Sequence, residues 1–263
     1  GLLKDGDTLD AVLARITGYA DYASGVADVD FVIESVAENL DIKKSVWAEV
    51  EHAAPKDAIL STNTSGLSPT ALQSVLKKPE RFVVAHFWNP AQLMPLVEVV
   101  PGEKTDPKVV DITSDLMAKI GKKPAKIKKE SLGYVGTRQQ LAVLREAIYI
   151  VQQGIADAAT VDDVMKYSLG RRWNLVGPLA SIDLGGLDVF YNISTYLFDD
   201  MDNGTGPSPL LAEKVREGNL GAKTGQGFFS WQGEDGKRII ESRNKALLRA
   251  LKNDAADAAA AQA

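Results

Sequence analysis

Cysteine is absent from this 263-residue chain and histidine occurs only twice. The first absence excludes a disulfide framework, a thiolate zinc site and a cysteine nucleophile, and it agrees with a reducing cytoplasm. The second leaves His52 and His86 as the whole supply of imidazole, which excludes a multi-histidine metal centre. Long apolar runs are missing too. The stretch 93–100 is interrupted by Glu98 and falls far short of the ~20 residues that a membrane span needs. The first residues show no basic-then-apolar signal layout, so the expectation is a cytoplasmic protein without a membrane partner. With 30 basic against 35 acidic residues the net charge is −5, the wrong sign for a whole-chain nucleic-acid footprint. No GxGxxG turn occurs, and the glycine groupings at 185–186 and 221–227 do not follow strong strands.

What is present alternates in period. Apolar positions at helical spacing over 7–17, then a short apolar run over 30–36, predict a helix followed by a buried strand. The pattern repeats with a helix over 41–53, a strand over 58–62, a short helix over 67–76 and a strand over 81–87. Two more strands, 96–100 and 124–128, flank a helix over 106–120. Strands alternating with helices of this length predict α/β layering on a largely parallel sheet. Beyond Lys129 the chain turns helical, with candidates over 141–151, 160–169, 185–201, 208–217 and 240–252, and at most one further strand near 227–231. The division is therefore an α/β part over 1–129 and an all-α part over 130–263. The Ala-rich stretch 253–263 reads as a frayed helix or disordered tail.

His86 lies at the carboxyl end of a predicted strand, where loops of open α/β sheets converge on ligands. Glu98 lies inside another apolar strand, where a buried carboxylate is costly unless paired. Its economical partner is His86: a carboxylate on one ring nitrogen fixes the tautomer and leaves the other nitrogen to accept a proton. The alternative places Glu98 at a strand edge, facing solvent. The loop 61–66 is rich in hydroxyls and leaves a strand on the same side as His86; Ser65 serves there as a ligand group or as a helix cap. Six lysines in 119–129 read as a solvated face before a phosphate patch, and His52 reads as a surface residue.

Asn63-Thr64-Ser65, then His86-Phe87-Trp88-Asn89-Pro90, then Leu96-Val97-Glu98, with further likeness over 133–138, 177–179 and 223–229, resembles the L-3-hydroxyacyl-CoA dehydrogenase family. The resemblance implies an NAD-dependent oxidoreductase with an N-terminal Rossmann domain and a C-terminal helical domain that forms a homodimer. It makes His86 the general base, Glu98 the group that polarises it, and Ser65 a hydrogen-bond partner of the substrate oxygen beside the nicotinamide, in reach of both substrate and cofactor. Asn89 would position substrate and cofactor. Ser35, Glu38, Lys43 and Lys223 match positions near NAD. The family's Asn before Arg138 is Thr137 here; a hydroxyl is shorter than an amide, which bears on substrate choice. The family's glycine-rich phosphate turn would fall before residue 1, so the chain is expected to start inside the Rossmann domain and, alone, to bind NAD poorly. The implied reaction interconverts a 3-hydroxyacyl-CoA and a 3-ketoacyl-CoA. The alternatives are a dehydrogenase of a hydroxy acid without CoA, such as carnitine or gulonate, or of a ring alcohol or aldehyde, and a non-catalytic scaffold. Arg171 and Arg172 are either a carboxylate clamp for such a substrate or surface residues at a helix end.

Overall fold

Short runs of β-branched and aromatic residues punctuated by capped helices give a computed structural model that describes Leu3 and residues 6–260. In chain order the elements are α1 (Leu9–Leu13), α2 (Tyr22–Gly25), β1 (Phe31–Glu34), α3 (Leu40–Ala53), β2 (Ile59–Thr62), α4 (Pro69–Gln73), β3 (Phe82–Phe87), β4 (Leu96–Pro101), α5 (Pro107–Lys119) and β5 (Lys123–Lys126). The helices α6 (Gly136–Gln152), α7 (Ala158–Tyr167), α8 (Leu169–Trp173), α9 (Pro178–Gly185), α10 (Leu187–Leu197), α11 (Pro209–Arg216) and α12 (Gly233–Ala260) follow. They divide into two compact units, Gly1–Thr137 and Arg138–Ala263.

The first unit is a five-stranded sheet in the order β1-β2-β3-β4-β5. β1, β2 and β3 are parallel, and so are β4 and β5, but β3 and β4 run antiparallel. Three of the four pairings are thus parallel, as the sequence leads one to expect of a largely parallel sheet, and the single reversal lies between β3 and β4. Its cause is the length of the connection: the eight residues 88–95 between Phe87 and Leu96 are too few for a parallel crossover, which takes a dozen or more.

Alternation along the strands sorts the core into two layers. Leu60 and Phe82 pack on Trp47, Val50 and Leu72 from α3 and α4; Val83, Ala85, Val97 and Val99 pack on Val109 and Met117 of α5. Trp47 meets Phe82 edge to face, with ring centroids 5.1 Å apart. Helix starts are set by side-chain caps. Asn39 accepts from the N–H groups of Asp41 and Ile42 at α3, Ser68 from Ala71 at α4, and Asp106 from Lys108 at α5. Each satisfies a donor that the first turn leaves unpaired.

The second unit is helical. The predicted strand near 227–231 does not form; only isolated bridges, Gly221 to Gln226 and Gln226 to Ser230, occur there. The Ala-rich tail is helical to Ala260, and residues 261–263 of that expectation lie outside the described residues. Among the described residues no helix is long and apolar enough to cross a membrane.

Candidate active site

The reversal of β4 brings His86 and Glu98 together. They are cross-strand partners in the β3–β4 ladder, on the face that Val84, Val100 and Tyr134 occupy. Opposed side chains on one face of an antiparallel pair lie within contact distance. His86 Nδ1 is 3.0 Å from Glu98 Oε2, and the two residues are 5% and 2% exposed. Oε2 also accepts from Trp88 Nε1 at 3.3 Å. The other oxygen, Oε1, accepts from the backbone N–H groups of Val135 at 3.1 Å and Gly136 at 2.9 Å. Gly136 opens α6, so the carboxylate caps a helix N-terminus, where unpaired N–H groups and the helix dipole favour an anion. Burial alone would raise the Glu98 pKa, but the hydrogen bonds from His86, Gly136 and Val135 outweigh it and hold the carboxyl below its ordinary range. A carboxylate accepts, so Nδ1 is the donor of this pair, which in the neutral ring leaves the lone pair on Nε2. Among the described residues none hydrogen-bonds Nε2.

The segment 131–137 ties the hydroxyl-rich loop to this pair. Gly133 N–H donates to Gly66 O, Tyr134 Oη to Leu67 O, and Thr137 Oγ1 to Ser65 O. Tyr134 is fully buried, with its ring centroid 5.7 Å from the imidazole. Burial, then the nearby Glu38 charge, raises its pKa above the ordinary phenol range, so its hydroxyl remains a donor. Ser65 and Asn89 are exposed on the loops that leave β2 and β3.

Beside them, the end of β1 is held by a buried ion pair. Lys43 Nζ donates to Glu34 Oε1 at 2.7 Å and to Val36 O at 3.2 Å, and lies 3.5 Å from Glu38 Oε2. Glu34 also accepts from Val36 N–H and from Thr62 Oγ1. Glu38 reaches across to Thr64 Oγ1 and Ser65 N–H, at 2.6 and 2.9 Å. Asn63 links three strand ends, accepting from Phe87 N–H and donating to the exposed Ser35. Lys43 is thus 1% exposed and spends its ammonium inside the protein, on Glu34, Val36 O and Glu38. Lys223 belongs to the second unit and is exposed. Arg171 and Arg172 are exposed in the last turn of α8.

Sequence reasoning missed Trp88, Tyr134 and the two backbone donors on Glu98. It also missed Glu34, which carries the signal that singled out Glu98: a carboxylate in an apolar run.

The chain matches the NAD binding domain of 3-hydroxyacyl-CoA dehydrogenase over residues 2–131 and the C-terminal domain of that enzyme over residues 133–231. It is 35% identical over 228 residues to the 5-formyl-3-hydroxy-2-methylpyridine 4-carboxylate 5-dehydrogenase of Mesorhizobium japonicum, covering 87% of this chain and 74% of the relative. It is 35% identical over 221 residues to the 3-hydroxybutyryl-CoA dehydrogenase of Clostridioides difficile, covering 84% and 77%. Its fold superposes on a crystal structure of a 5-formyl-3-hydroxy-2-methylpyridine 4-carboxylic acid 5-dehydrogenase, an NAD+-dependent dismutase, with a TM-score of 0.84 at 34% identity, covering 88% of this chain and 76% of that one. The chain belongs to the 3-hydroxyacyl-CoA dehydrogenase family of NAD-dependent dehydrogenases.

Proposed function

We propose that His86 is the general base in the oxidation of a 3-hydroxyacyl-CoA to the 3-ketoacyl-CoA, with Glu98 as the carboxylate that orients it. The observation that carries this reading is the arrangement of the pair: Nδ1 is committed to Glu98 Oε2 at 3.0 Å, and among the described residues none occupies Nε2, which in the neutral ring with its proton on Nδ1 is the basic nitrogen. As the substrate carbon loses hydride, its hydroxyl proton passes to Nε2 and the C–O bond becomes a carbonyl. The imidazolium that results is stabilised by the carboxylate on its far side. Bound NAD supplies the hydride acceptor. In the reverse direction His86 returns the proton.

The strand ends suit that cofactor in chemistry. Ser35 and Ser65 offer exposed hydroxyls beside Asn63, and the half-exposed Glu38 offers a carboxylate oxygen, groups that hydrogen-bond a carboxamide and ribose hydroxyls. In this reading Lys43 holds the loop that carries Ser35 and Glu38. Ser65 and Asn89 hold the reacting oxygen, and Lys223 takes an anionic part of a ligand. The functional division follows the sequence reading, with a dinucleotide-binding part over 1–129 and a substrate and dimer-forming part over 130–263.

A second reading keeps the hydride chemistry and removes CoA. It is favoured by Thr137, whose hydroxyl is committed to Ser65 O, and by the likeness to a pyridine carboxylate dehydrogenase. NAD reduction measured with 3-hydroxyacyl-CoA thioesters, free hydroxy acids and ring-borne alcohols and aldehydes separates the two. Whichever class reacts, His86→Gln lowers kcat by about 10²-fold or more with the fold intact; turnover within a few-fold of the parent would refute the assignment. We also infer a homodimer formed through the helical unit, because among the described residues beyond Tyr134 no apolar side chain is buried.

A further inference from the structure

Trp88 stands beside the His86–Glu98 pair, and three observations connect it to that pair. Its indole Nε1 donates to Glu98 Oε2, the oxygen that also receives His86 Nδ1. Its ring lies 5.6 Å from the imidazole, with the planes tilted by 50°. A Cβ added to Gly136 would fall 2.3 Å from Trp88 Cζ2. The φ of Gly136 is not positive, so the backbone there does not call for glycine. The indole does, by filling the space where a side chain would stand.

The carboxylate torsion of a glutamate is soft and roughly two-fold. Val135 and Gly136 fix Oε1, but with the imidazole as sole donor, Oε2 would follow every movement of the ring. A second donor from another direction makes Oε2 a stationary acceptor, and a base held in a fixed orientation needs no reorganisation when the proton moves. The contrast within the chain is informative. Trp47, in the core between α3 and β3, leaves its buried Nε1 without a partner, so core packing here does not by itself recruit an acceptor.

We propose that Trp88 is a positioning residue that locks Glu98 Oε2 onto His86, and that Gly136 is present to admit its ring. The proposal rests on the reading of His86 as the base, and its closing experiment does not need turnover. Because the chain holds two histidines, spectra of the full chain labelled with 15N-histidine report His86 directly, with His52 as an internal control. In Trp88→Phe, which keeps a ring and loses the N–H, the His86 Nδ1–H resonance is expected to broaden by faster exchange and a share of the Nε2–H tautomer to appear, while His52 is unchanged. The kcat falls about 10-fold with KM held. Gly136→Ala, which displaces the indole, reproduces both effects in the parent and adds little in the Trp88→Phe background, the non-additivity of coupled neighbours. His86 resonances in Trp88→Phe and Gly136→Ala that superimpose on those of the parent would overturn the proposal. A parent chain that turns over none of the substrates above refutes the functional reading instead, and the spectra still decide the role of Trp88.

Discussion

Glu98 sits where a carboxylate has four donors in place of water. Converting it to the amide tests the orientation argument at the scale of one atom. A glutamine side chain still accepts from Val135 and Gly136 through its oxygen, but its NH2 then faces His86 Nδ1 and both groups cannot donate. The imidazole proton moves to Nε2, the position that must be bare to act as a base. Glu98→Gln is therefore expected to lower kcat by about 10³- to 10⁴-fold, the scale seen when a tautomer is reversed, with substrate binding little changed. Stability gives an independent check. The Glu98 pKa is lowered from 4.5, so its contribution is present in full above that value and is lost as pH falls through the depressed pKa of the folded state. Urea midpoints of the parent should drop more steeply below about pH 4.5 than those of Glu98→Gln. The pairing itself is legible in the sequence because burial of a charge demands a partner and only two imidazoles exist. The donors from Trp88, Val135 and Gly136 are not, since an indole and two backbone N–H groups leave no mark in composition or spacing.

Elements with a clear period are legible, and their directions less so. The segments β1, β2, β3, α3 and α5 fall within a few residues of their predicted spans, because the strands are short, mostly apolar runs and the apolar positions of the helices recur every three to four residues. The helix expected over 7–17 contracts to the five residues of α1, with Leu9, Leu13 and Ile16 left exposed. α9 is missed because Leu179, Ala180, Ile182 and Leu184 leave no polar stripe to set a phase. The junction of β1 and α3 carries a prediction of its own. Lys43 and Glu34 are enclosed together, and removing one member of a buried pair strands the other at a cost of about 3–5 kcal/mol. Lys43→Met should destabilise the chain on that scale in urea denaturation. The double variant Lys43→Met with Glu34→Gln should recover a large part of the loss, as the remaining charge is gone. If the single and double variants are equally destabilised, the pair is not energetically coupled. Because Val36 O and Glu38 meet the same ammonium, the single variant should also weaken whatever ligand the 34–38 loop contacts.

The two units differ in how they meet water. The sheet unit buries a continuous core on both faces. In the helical unit, the sole buried polar side chain among the described residues is Ser181, and Leu179, Leu184, Leu187, Tyr191, Tyr196 and Phe198 of α9, α10 and the turn that follows stand exposed. A helical layer holds together by burying an apolar stripe against another element, and apolar patches on this scale mark an interface. A second copy of the same chain is the simplest cover, since an isologous contact puts each exposed stripe against its equivalent. The expected consequence is that folding and association are one process. Sedimentation should give a dimer across micromolar concentrations, and the thermal midpoint should rise with protein concentration, as mass action requires when only the assembled state is stable. Tyr191→Asp, which places a charge at the centre of α10, should yield monomers whose helical signal melts well below that of the parent. A monomeric parent with a concentration-independent midpoint would refute the dimer and leave the apolar faces of α9 and α10 to a different partner.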